Sequence, residues 1–181
     1  WINVPIKKGH QLLPIMDVKI NNEIPWRRKN YKKICAGYNK AKFFHLYKDY
    51  FENLYKKEWN NIFDLNFETI KQVLRWLDIK VEIVIESELR VSGQPTERLV
   101  KVCKKLGADT YISGIGGKRY LDEKLFEKNE ITLKYQNYDP ITYVQHTSKS
   151  FIPNLSIIDL LFNEGTDRSQ EILKNSITSY S

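Results

Sequence analysis

The sequence predicts an α/β protein built in three layers, in which helices flank a mostly parallel, Rossmann-like sheet and a helical insertion is added. Two observations lead to this fold class. β-prone and helix-like segments alternate over residues 79–139, which is typical of parallel strands joined by helical crossovers. Residues 23–78 instead carry apolar residues at helical spacing, and we interpret them as the insertion. The 181-residue chain suits one domain around one core, which we place at residues 1–165.

The elements before residue 79 are two short strands and three helices. The strands are predicted at WINVPI and MDVKI, on either side of the loop KKGHQLLP. The first helix spans about residues 26–38, after Pro25, and Asp64 or Asn66 would cap the third. Apolar stripes at helical spacing predict buried faces on the second and third helices: Phe43, Tyr47, Tyr50, Phe51 and Leu54 in the second, and Phe67, Ile70, Val73, Leu74 and Leu77 in the third.

Strands and helices alternate after residue 79. IKVEIVIESEL predicts a buried strand, PTERLVKVCKKLG a helix that ends at Gly107, and DTYISG a second strand. KRYLDEKLFEKN then predicts a helix, and ITLKYQNY a strand with alternating apolar residues. LSIIDLLFNEG predicts a buried helix that stops at Gly165. The polar tail, residues 166–181, is predicted to lie outside the domain and to add one short helix.

Composition and charge limit the classes of function. The formal charge of +7 and the pI near 9.2 suit nucleic acid, anionic lipid or a phosphorylated small molecule as partner, although the lysines are spread as on solvated helix faces. No apolar run reaches the ~18–20 residues that span a bilayer, so no membrane insertion is predicted. Cys35 and Cys103 form neither a disulfide framework nor a zinc site, which indicates a reducing cytoplasm. A chain that opens on Trp1 without a leader indicates a fragment or a processed chain.

The segment SGIGGK concentrates three of the eight glycines, Gly114, Gly116 and Gly117, between a predicted strand and a helix. Ligands of open α/β sheets gather beyond the carboxyl ends of the strands, where free backbone N–H groups can bind phosphate. Ser113 could add a hydrogen bond, and Lys118 or Arg119 could add positive charge. The alternative is a plain turn, since the loop is neither a Walker A motif nor a full dinucleotide-binding fingerprint.

A second loop, SGQPTERL, also follows a predicted strand and opens a helix, so we expect it on the same rim as the glycine loop. Thr96 could bond a ligand oxygen, and Arg98 could clamp a carboxylate or phosphate as a fork. The alternative is structural, with Gln94 and Thr96 capping the helix while Glu97 and Arg98 are solvated. Two such loops on one rim favour a binding site more than either loop alone.

Asp159 and His146 are the candidates for proton transfer. Asp159 lies in the apolar helix LSIIDLLF, where a buried carboxylate is costly unless it is paired or functional. A structural hydrogen bond is the alternative for this residue. His146 lies on the long loop before that helix and is the one histidine considered as an acid–base group. His10, His45 and His146 share no ligand spacing, so neither a metal site nor a cofactor is predicted.

Three segments, WINVPIKKG, TERLVKVCKKLGADTYISGIGGKRYLDEKLF and FIPNLSIIDLLFNEG, closely resemble the WbqC-like family of bacterial proteins. The resemblance runs from Trp1 to about Gly165, with Ile115 in place of a proline in the glycine loop. It implies that family members begin a few tens of residues earlier, so that a first strand and part of the active site would be absent here. The motif residues of the family correspond to Thr96, Arg98, Ser113, Gly114, Gly116, Gly117, Tyr120 and Asp122.

The resemblance implies a cytoplasmic enzyme of bacterial surface-polysaccharide biosynthesis, of the O-antigen type. Its partner would be a nucleotide-linked sugar or another phosphorylated small molecule, and the reaction an acyl or aminoacyl transfer to an amino sugar. Two alternatives stay open: a non-catalytic interaction subunit, and a basic nucleic-acid-binding module with WRRKNYKK as its footprint. The aromatic residues near that footprint fall on the predicted apolar stripes, which argues against stacking on bases. A homo-oligomer is compatible with the enzyme.

Overall fold

The computed structural model describes residues 1–138, 141–146 and 150–180. None of the described helices is both long enough and apolar enough to cross a membrane. The described residues form α-helices, β-strands and short 3-10 helices. The α-helices are α1 (Trp26–Tyr38), α2 (Phe44–Lys56), α3 (Ile62–Trp76), α4 (Pro95–Lys105), α5 (Glu123–Lys128) and α6 (Ile157–Ser176). The strands are β1 (Thr110–Gly114), β2 (Thr132–Tyr138) and β3 (Ile177–Tyr180), and 3-10 helices lie at Ile15–Asp17, Glu86–Leu89 and Ile115–Arg119.

The contacts within the chain divide it into two compact units. The first unit comprises Trp1–Lys80 and Thr142–Ile172, and the second comprises Val81–Ile141 and Leu173–Ser181. Helix α6 supplies residues to both units. The sequence-based assignment of one domain to residues 1–165 stays a prediction.

The core of the first unit is an aromatic cluster centred on Phe162 of α6, which is fully buried. The centroid of its ring lies 4.9–5.5 Å from the ring centroids of Tyr38, Phe44, Tyr47 and Phe51. Edge-to-face and tilted ring pairs of this kind stabilise a core beyond the area that they bury. The apolar stripe predicted for the second helix is confirmed as a core face at Tyr47, Phe51 and Leu54, while Phe43 and Tyr50 are half-buried.

Helix α3 differs from the prediction at its start and along its apolar stripe. It begins at Ile62, so Asn61 occupies the N-cap position that was expected at Asp64 or Asn66, and Asn61 makes no side-chain capping bond. Leu77 is buried but the Ile70 side chain is 53% exposed. The stripe is thus a core face over only part of its length.

The two strands predicted near the amino terminus are absent. The chain there forms isolated bridges between Ile6 and Ile20 and between Lys19 and Asn61. Residues Ile15–Asp17 form a 3-10 helix, which takes up the first two residues of the segment MDVKI that was predicted as the second strand. A strand needs one partner that pairs with several consecutive backbone groups, whereas Lys19 and Ile20 pair with two different segments and, within the described part of the chain, Ile6 is the one paired residue of WINVPI.

The sheet of the second unit has the order β1-β2-β3. Strands β1 and β2 pair in parallel, with Ser113 opposite Tyr135, and α5 lies in the connection between them, as the alternating pattern predicted. Strand β3 pairs antiparallel to β2. Side chains from α4, α5, β2 and the segments just before α5 and β2 form the core of this unit: Val100, Cys103, Leu121, Phe126, Ile131 and Tyr135.

The buried strand predicted over residues 79–89 is absent. Residues 79–85 belong to no strand and are followed by the 3-10 helix Glu86–Leu89. Among their apolar side chains, Ile79, Val81, Ile83 and Val84 are exposed and Ile85 is half-buried. The described residues therefore show a mixed α/β fold with one parallel strand pair, and the three-layer, Rossmann-like arrangement stays a prediction.

The helix that begins at Ile157 stops at Gly165, as the sequence predicted, and a second helix follows it within α6. Gly165 has φ 73° and ψ 179°, which is not helical, so α6 consists of two helices joined at a kink, and the second runs to Ser176. Positive φ at this position explains why a glycine stands there. The predicted polar tail, residues 166–181, thus contributes the second half of α6 and then β3 over its described residues.

Candidate functional site

The glycine loop lies in the second unit, where β1 ends at Gly114 and the 3-10 helix Ile115–Arg119 begins. Gly114 and Gly116 are exposed. A Cβ atom added to either of them would meet no heavy atom within 4 Å. The backbone at these two positions is therefore open to an approaching group, as the binding interpretation requires.

Gly117 and Ser113 form the buried floor of the same loop. A Cβ atom on Gly117 would collide with the Ser113 side chain and would lie 3.0 Å from Cδ1 of Leu121. The Ser113 hydroxyl donates to the carbonyl of Gly114 at 3.0 Å. Packing thus requires a glycine at position 117 but not at positions 114 and 116. The loop therefore has a feature of a plain turn, the packed Gly117, and a feature of a binding loop, the open Gly114 and Gly116.

The loop that opens α4 contacts the segment that follows the glycine loop. Thr96 is buried, and its Oγ1 accepts a hydrogen bond from the backbone N–H of Asp122 at 3.2 Å. Asp122 in turn precedes α5 and accepts from the N–H of Leu125 at 3.3 Å. The structure therefore brings Thr96 and Asp122 together in an internal hydrogen-bonded link, in which both act as capping and bridging residues.

Arg98 forms a two-pronged ion pair with Glu86. Its Nε and Nη2 each donate to a different carboxylate oxygen of Glu86 at 2.6 Å. The Arg98 guanidinium holds the pKa of Glu86 below its usual value. Because the fork geometry is already satisfied, a phosphate could be clamped by Arg98 only in exchange for Glu86.

Lys118 and Tyr120 lie on the exposed side of the glycine loop. Nζ of Lys118 lies 5.0 Å from the ring centroid of Tyr135, a cation–π contact. Lys118 also lines a cavity of about 630 Å³ that carries three carboxylates, Glu123, Glu127 and Glu130. That cavity is therefore unsuited to phosphate, whereas Tyr120 is 69% exposed and available to a ligand.

Asp159 lies in the first unit and is only 4% exposed. Its Oδ2 accepts from the Tyr143 hydroxyl at 2.7 Å and from Nε2 of Gln145 at 3.0 Å. Burial, and then a hydrogen bond to Asp159, raise the pKa of Tyr38. Among the described residues Asp159 has no cationic partner, so neutral donors compensate its burial.

His146 also lies in the first unit, and contacts carbonyl oxygens through both ring nitrogens. Nδ1 lies 2.9 Å from Oδ1 of Asn163, and Nε2 lies 2.9 Å from the carbonyl of Gly37. Nδ2 of Asn163 donates to the carbonyl of Asp159 at 2.7 Å. His146 therefore links its loop to α1 and α6, and neither ring nitrogen is free for a substrate.

The residues that surround Asp159 and His146 were not identified from the sequence. The apolar setting of Asp159 predicted that it needs donors, but Tyr38 and Gln145 come from distant segments. Asn163, one turn after Asp159 on α6, is the one partner that helical spacing could have indicated. The predicted catalytic residues lie in the first unit and the predicted phosphate-binding residues lie in the second.

Comparisons with known proteins agree with the resemblance of the motifs. The model of the WbqC-like protein family matches residues 1–171. The uncharacterized protein Rv1507c of Mycobacterium tuberculosis (strain ATCC 25618 / H37Rv) is 27% identical over 169 residues, which cover 92% of this chain and 73% of that protein. No solved structure matches the chain.

Proposed function

The chain belongs to the WbqC-like protein family, and from that membership we propose that it is an enzyme of bacterial surface-polysaccharide biosynthesis. Its substrate is a nucleotide-linked sugar, and the reaction is transfer of an acyl or aminoacyl group to an amino sugar. The substrate binds at the glycine loop of the second unit through its phosphate groups. This function is cytoplasmic, where nucleotide-linked sugars are made.

One observation carries the binding part of this proposal. Gly114 and Gly116 present open backbone at the carboxyl end of β1, above a floor that Ser113 and Gly117 fill. Backbone N–H groups beside glycines can approach phosphate oxygens more closely than those beside larger residues. The Lys118 and Arg119 side chains, both exposed, add positive charge next to the loop.

The roles of the neighbouring residues follow from their contacts. Thr96 and Asp122 hold the two loops together through their hydrogen bond, and so position the glycine loop instead of contacting the ligand. Arg98 reaches a phosphate only after leaving Glu86. Tyr120, which is exposed, is the residue best placed to contact the sugar or the base.

The contacts of His146 and Asp159 support a structural role for both residues. Each ring nitrogen of His146 already faces a carbonyl oxygen, and the carboxylate of Asp159 is buried among neutral donors. General acid–base groups must reach the proton that they transfer. The proposal therefore rests on substrate binding at the glycine loop and assigns no step to His146 or Asp159, whose proton-transfer role stays a prediction from the sequence.

The variant Gly116→Ala tests the binding site. Its methyl group meets no protein atom, so the fold should be kept, but it projects where a phosphate would approach. We expect the parent chain to bind at least one member of a panel of nucleotide-linked sugars in isothermal titration calorimetry. We expect Gly116→Ala to weaken that binding by about tenfold or more, the effect of losing one or two hydrogen bonds to a charged group.

Gly37→Ala is the matched control, because its Cβ atom also meets nothing and Gly37 lies in α1, in the first unit. It should bind the panel as the parent does. Equal affinities of Gly116→Ala and the parent chain, or a parent chain that binds no nucleotide-linked sugar, would refute the proposal.

A non-catalytic interaction subunit is the second candidate function. The observation that favours it is the exposed apolar run of residues 79–84, with Ile79, Val81, Ile83 and Val84 all at the surface. Apolar surface of this kind often marks a protein contact. Size-exclusion chromatography of a Val81→Lys, Ile83→Lys double variant tests this candidate, since a partner complex held by that surface should dissociate while nucleotide-sugar binding is retained.

A further inference from the structure

A second cavity lies in the first unit, where α1 begins and α2 ends. Its volume is about 410 Å³, within the range of cavities that hold small molecules in proteins. The first turns of α1 and the last turn of α2 supply its walls. The lining residues are Pro25, Arg27, Arg28, Tyr31, Glu52, Tyr55 and Lys56.

The charges that line this cavity leave two guanidinium groups uncompensated. Glu52 is paired with Lys56, whose Nζ lies 2.5 Å from Oε1, and it also accepts a hydrogen bond from the Tyr31 hydroxyl at 3.4 Å. Lys56 holds the pKa of Glu52 below its usual value, so the carboxylate stays ionised and committed to that pair. Within the described ranges, Arg27 and Arg28 form no ion pair with any carboxylate.

Arg27 is held in place at the edge of the cavity. Its Nη1 donates to the carbonyl of Lys56 at 3.2 Å, which joins the start of α1 to the end of α2. The side chain is half-buried, so its guanidinium is positioned before any ligand arrives. A pre-positioned guanidinium loses less conformational freedom on binding than a free one does.

Tyr55 gives the cavity an apolar wall and a hydroxyl that no described residue bonds. Its ring contacts Trp26 edge-on, with 6.0 Å between centroids, and lies 6.4 Å from the ring of Tyr31. Burial raises the pKa of Tyr55 to about 12, so the hydroxyl keeps its proton near neutral pH. It is therefore available to donate a hydrogen bond into the cavity.

We propose that this cavity binds a phosphorylated small molecule, with the phosphoryl group at Arg27 and Arg28 and the organic part against Tyr31 and Tyr55. Guanidinium groups match phosphate oxygens in pairs, and the Tyr55 hydroxyl supplies a third donor. The site is separate from the glycine loop, which belongs to the other unit. A nucleic-acid strand is a poorer fit, since the aromatic rings line a concavity and are not presented on an open face.

The experiment uses the full chain with phenyl phosphate as the probe and inorganic phosphate for comparison, measured by calorimetry and by NMR of the tyrosine rings. We expect phenyl phosphate to bind more tightly than inorganic phosphate and to shift the ring signals of Tyr31 and Tyr55. Arg28→Gln should weaken binding by about 10- to 100-fold, the effect of losing a charged hydrogen-bonding partner. Tyr55→Phe should weaken it by about 2- to 10-fold.

Lys32→Gln is the matched control, because it removes one positive charge from an exposed position of the same helix that does not line the cavity. It should leave affinity within twofold of the parent chain. Equal losses in Arg28→Gln and Lys32→Gln would show a general charge effect and overturn the proposal, as would a parent chain that fails to bind phenyl phosphate.

Two further outcomes separate this site from others. Gly116→Ala should bind phenyl phosphate as the parent chain does; a loss in that variant alone would move the ligand to the glycine loop and overturn this site while supporting the proposed function. A single-stranded oligonucleotide should not displace phenyl phosphate at physiological salt. Displacement that is lost in Arg28→Gln would identify a nucleic-acid surface and also overturn the proposal.

Discussion

Gly116 and Gly117 are adjacent in sequence but have opposite surroundings. Gly116 has open space where a Cβ atom would project, while a Cβ atom on Gly117 would collide with the Ser113 side chain. One glycine therefore leaves the surface accessible and the other allows the loop to pack on its floor. Substitution of each by alanine separates a binding effect from a folding effect at neighbouring positions.

Gly117→Ala should destabilise the protein by about 1–3 kcal/mol, the cost of forcing extra volume into a packed site. Gly116→Ala, which meets no atom, should change the free energy of unfolding by less than about 0.5 kcal/mol. Urea denaturation followed by circular dichroism measures both values. Equal stabilities of the two variants would contradict the packing described for Gly117.

Ser113→Ala provides a test of the named contact. It removes the hydroxyl that a Cβ atom on Gly117 would meet first, so Gly117→Ala should cost less in the Ser113→Ala background than in the parent chain. A double-mutant cycle reports this coupling directly. Strict additivity of the two substitutions would show that the cost arises elsewhere.

The sequence located the glycine loop, because clustered glycines between a strand and a helix are a local signal. It could not assign separate roles to Gly116 and Gly117, since these depend on where the Ser113 side chain lies. The partner of Arg98 was missed for a related reason: Glu86 comes from a segment interpreted as a strand. The sequence showed Arg27 and Arg28 only as part of a basic run. It could not predict the cavity beside them, because the other wall of that cavity belongs to α2.

Helix α6 contains a break at Gly165 that its neighbours hold in place. The residue has a φ of 73°, and a Cβ atom there would lie 3.0 Å from the Phe43 ring. Both the backbone conformation and the packing therefore require glycine.

Gly165→Ala should destabilise the first unit by about 1–3 kcal/mol, since the substitution combines backbone strain with overpacking. Gly37→Ala, in the last turn of α1 with open space around its Cβ atom, should instead be neutral or stabilising by up to about 1 kcal/mol. Thermal denaturation of the two variants compares them. A Gly165→Ala variant as stable as the parent chain would show that α6 can straighten at this position.

The helices were predicted better than the strands. Periodic apolar residues identify a helix from local sequence alone: α1 and α4 lie close to their predicted bounds, and α2 contains all of its predicted stripe except Phe43. A strand is completed by a partner that is distant in sequence, and residues 79–85 have the β-branched composition of a strand but pair with none. The helix stop at Gly165 was predicted correctly, because a glycine after a helical pattern is a local signal, whereas its contact with the Phe43 ring depends on a distant segment.

The stability of the whole molecule should fall at alkaline pH. Burial raises the pKa of Tyr50 and of Tyr55 to about 12, above the ordinary tyrosine value of about 10. The folded protein thus keeps phenolic protons that the unfolded chain releases. This contribution to stability is complete below about pH 10 and is lost as the pH rises towards 12. The loss is at most about 1.4 kcal/mol per pH unit for each tyrosine. The actual loss should be smaller than this limit, because both rings are partly exposed.

The free energy of unfolding measured at intervals from pH 8 to pH 12 checks this expectation. Tyr55→Phe removes one titrating hydroxyl that has no partner among the described residues, so its stability should fall less steeply above pH 10 than that of the parent chain. Identical slopes for the parent chain and this variant would contradict the assignment to Tyr55.

Each unit contains one of the two cysteines: Cys35 lies in α1, and Cys103 lies on the buried face of α4. Burial raises the pKa of the Cys103 thiol, and alkylating reagents attack the thiolate. Cys103 should therefore be protected for as long as its unit stays closed. In a Cys35→Ser background, the alkylation rate of this one native thiol therefore measures how often the second unit opens transiently.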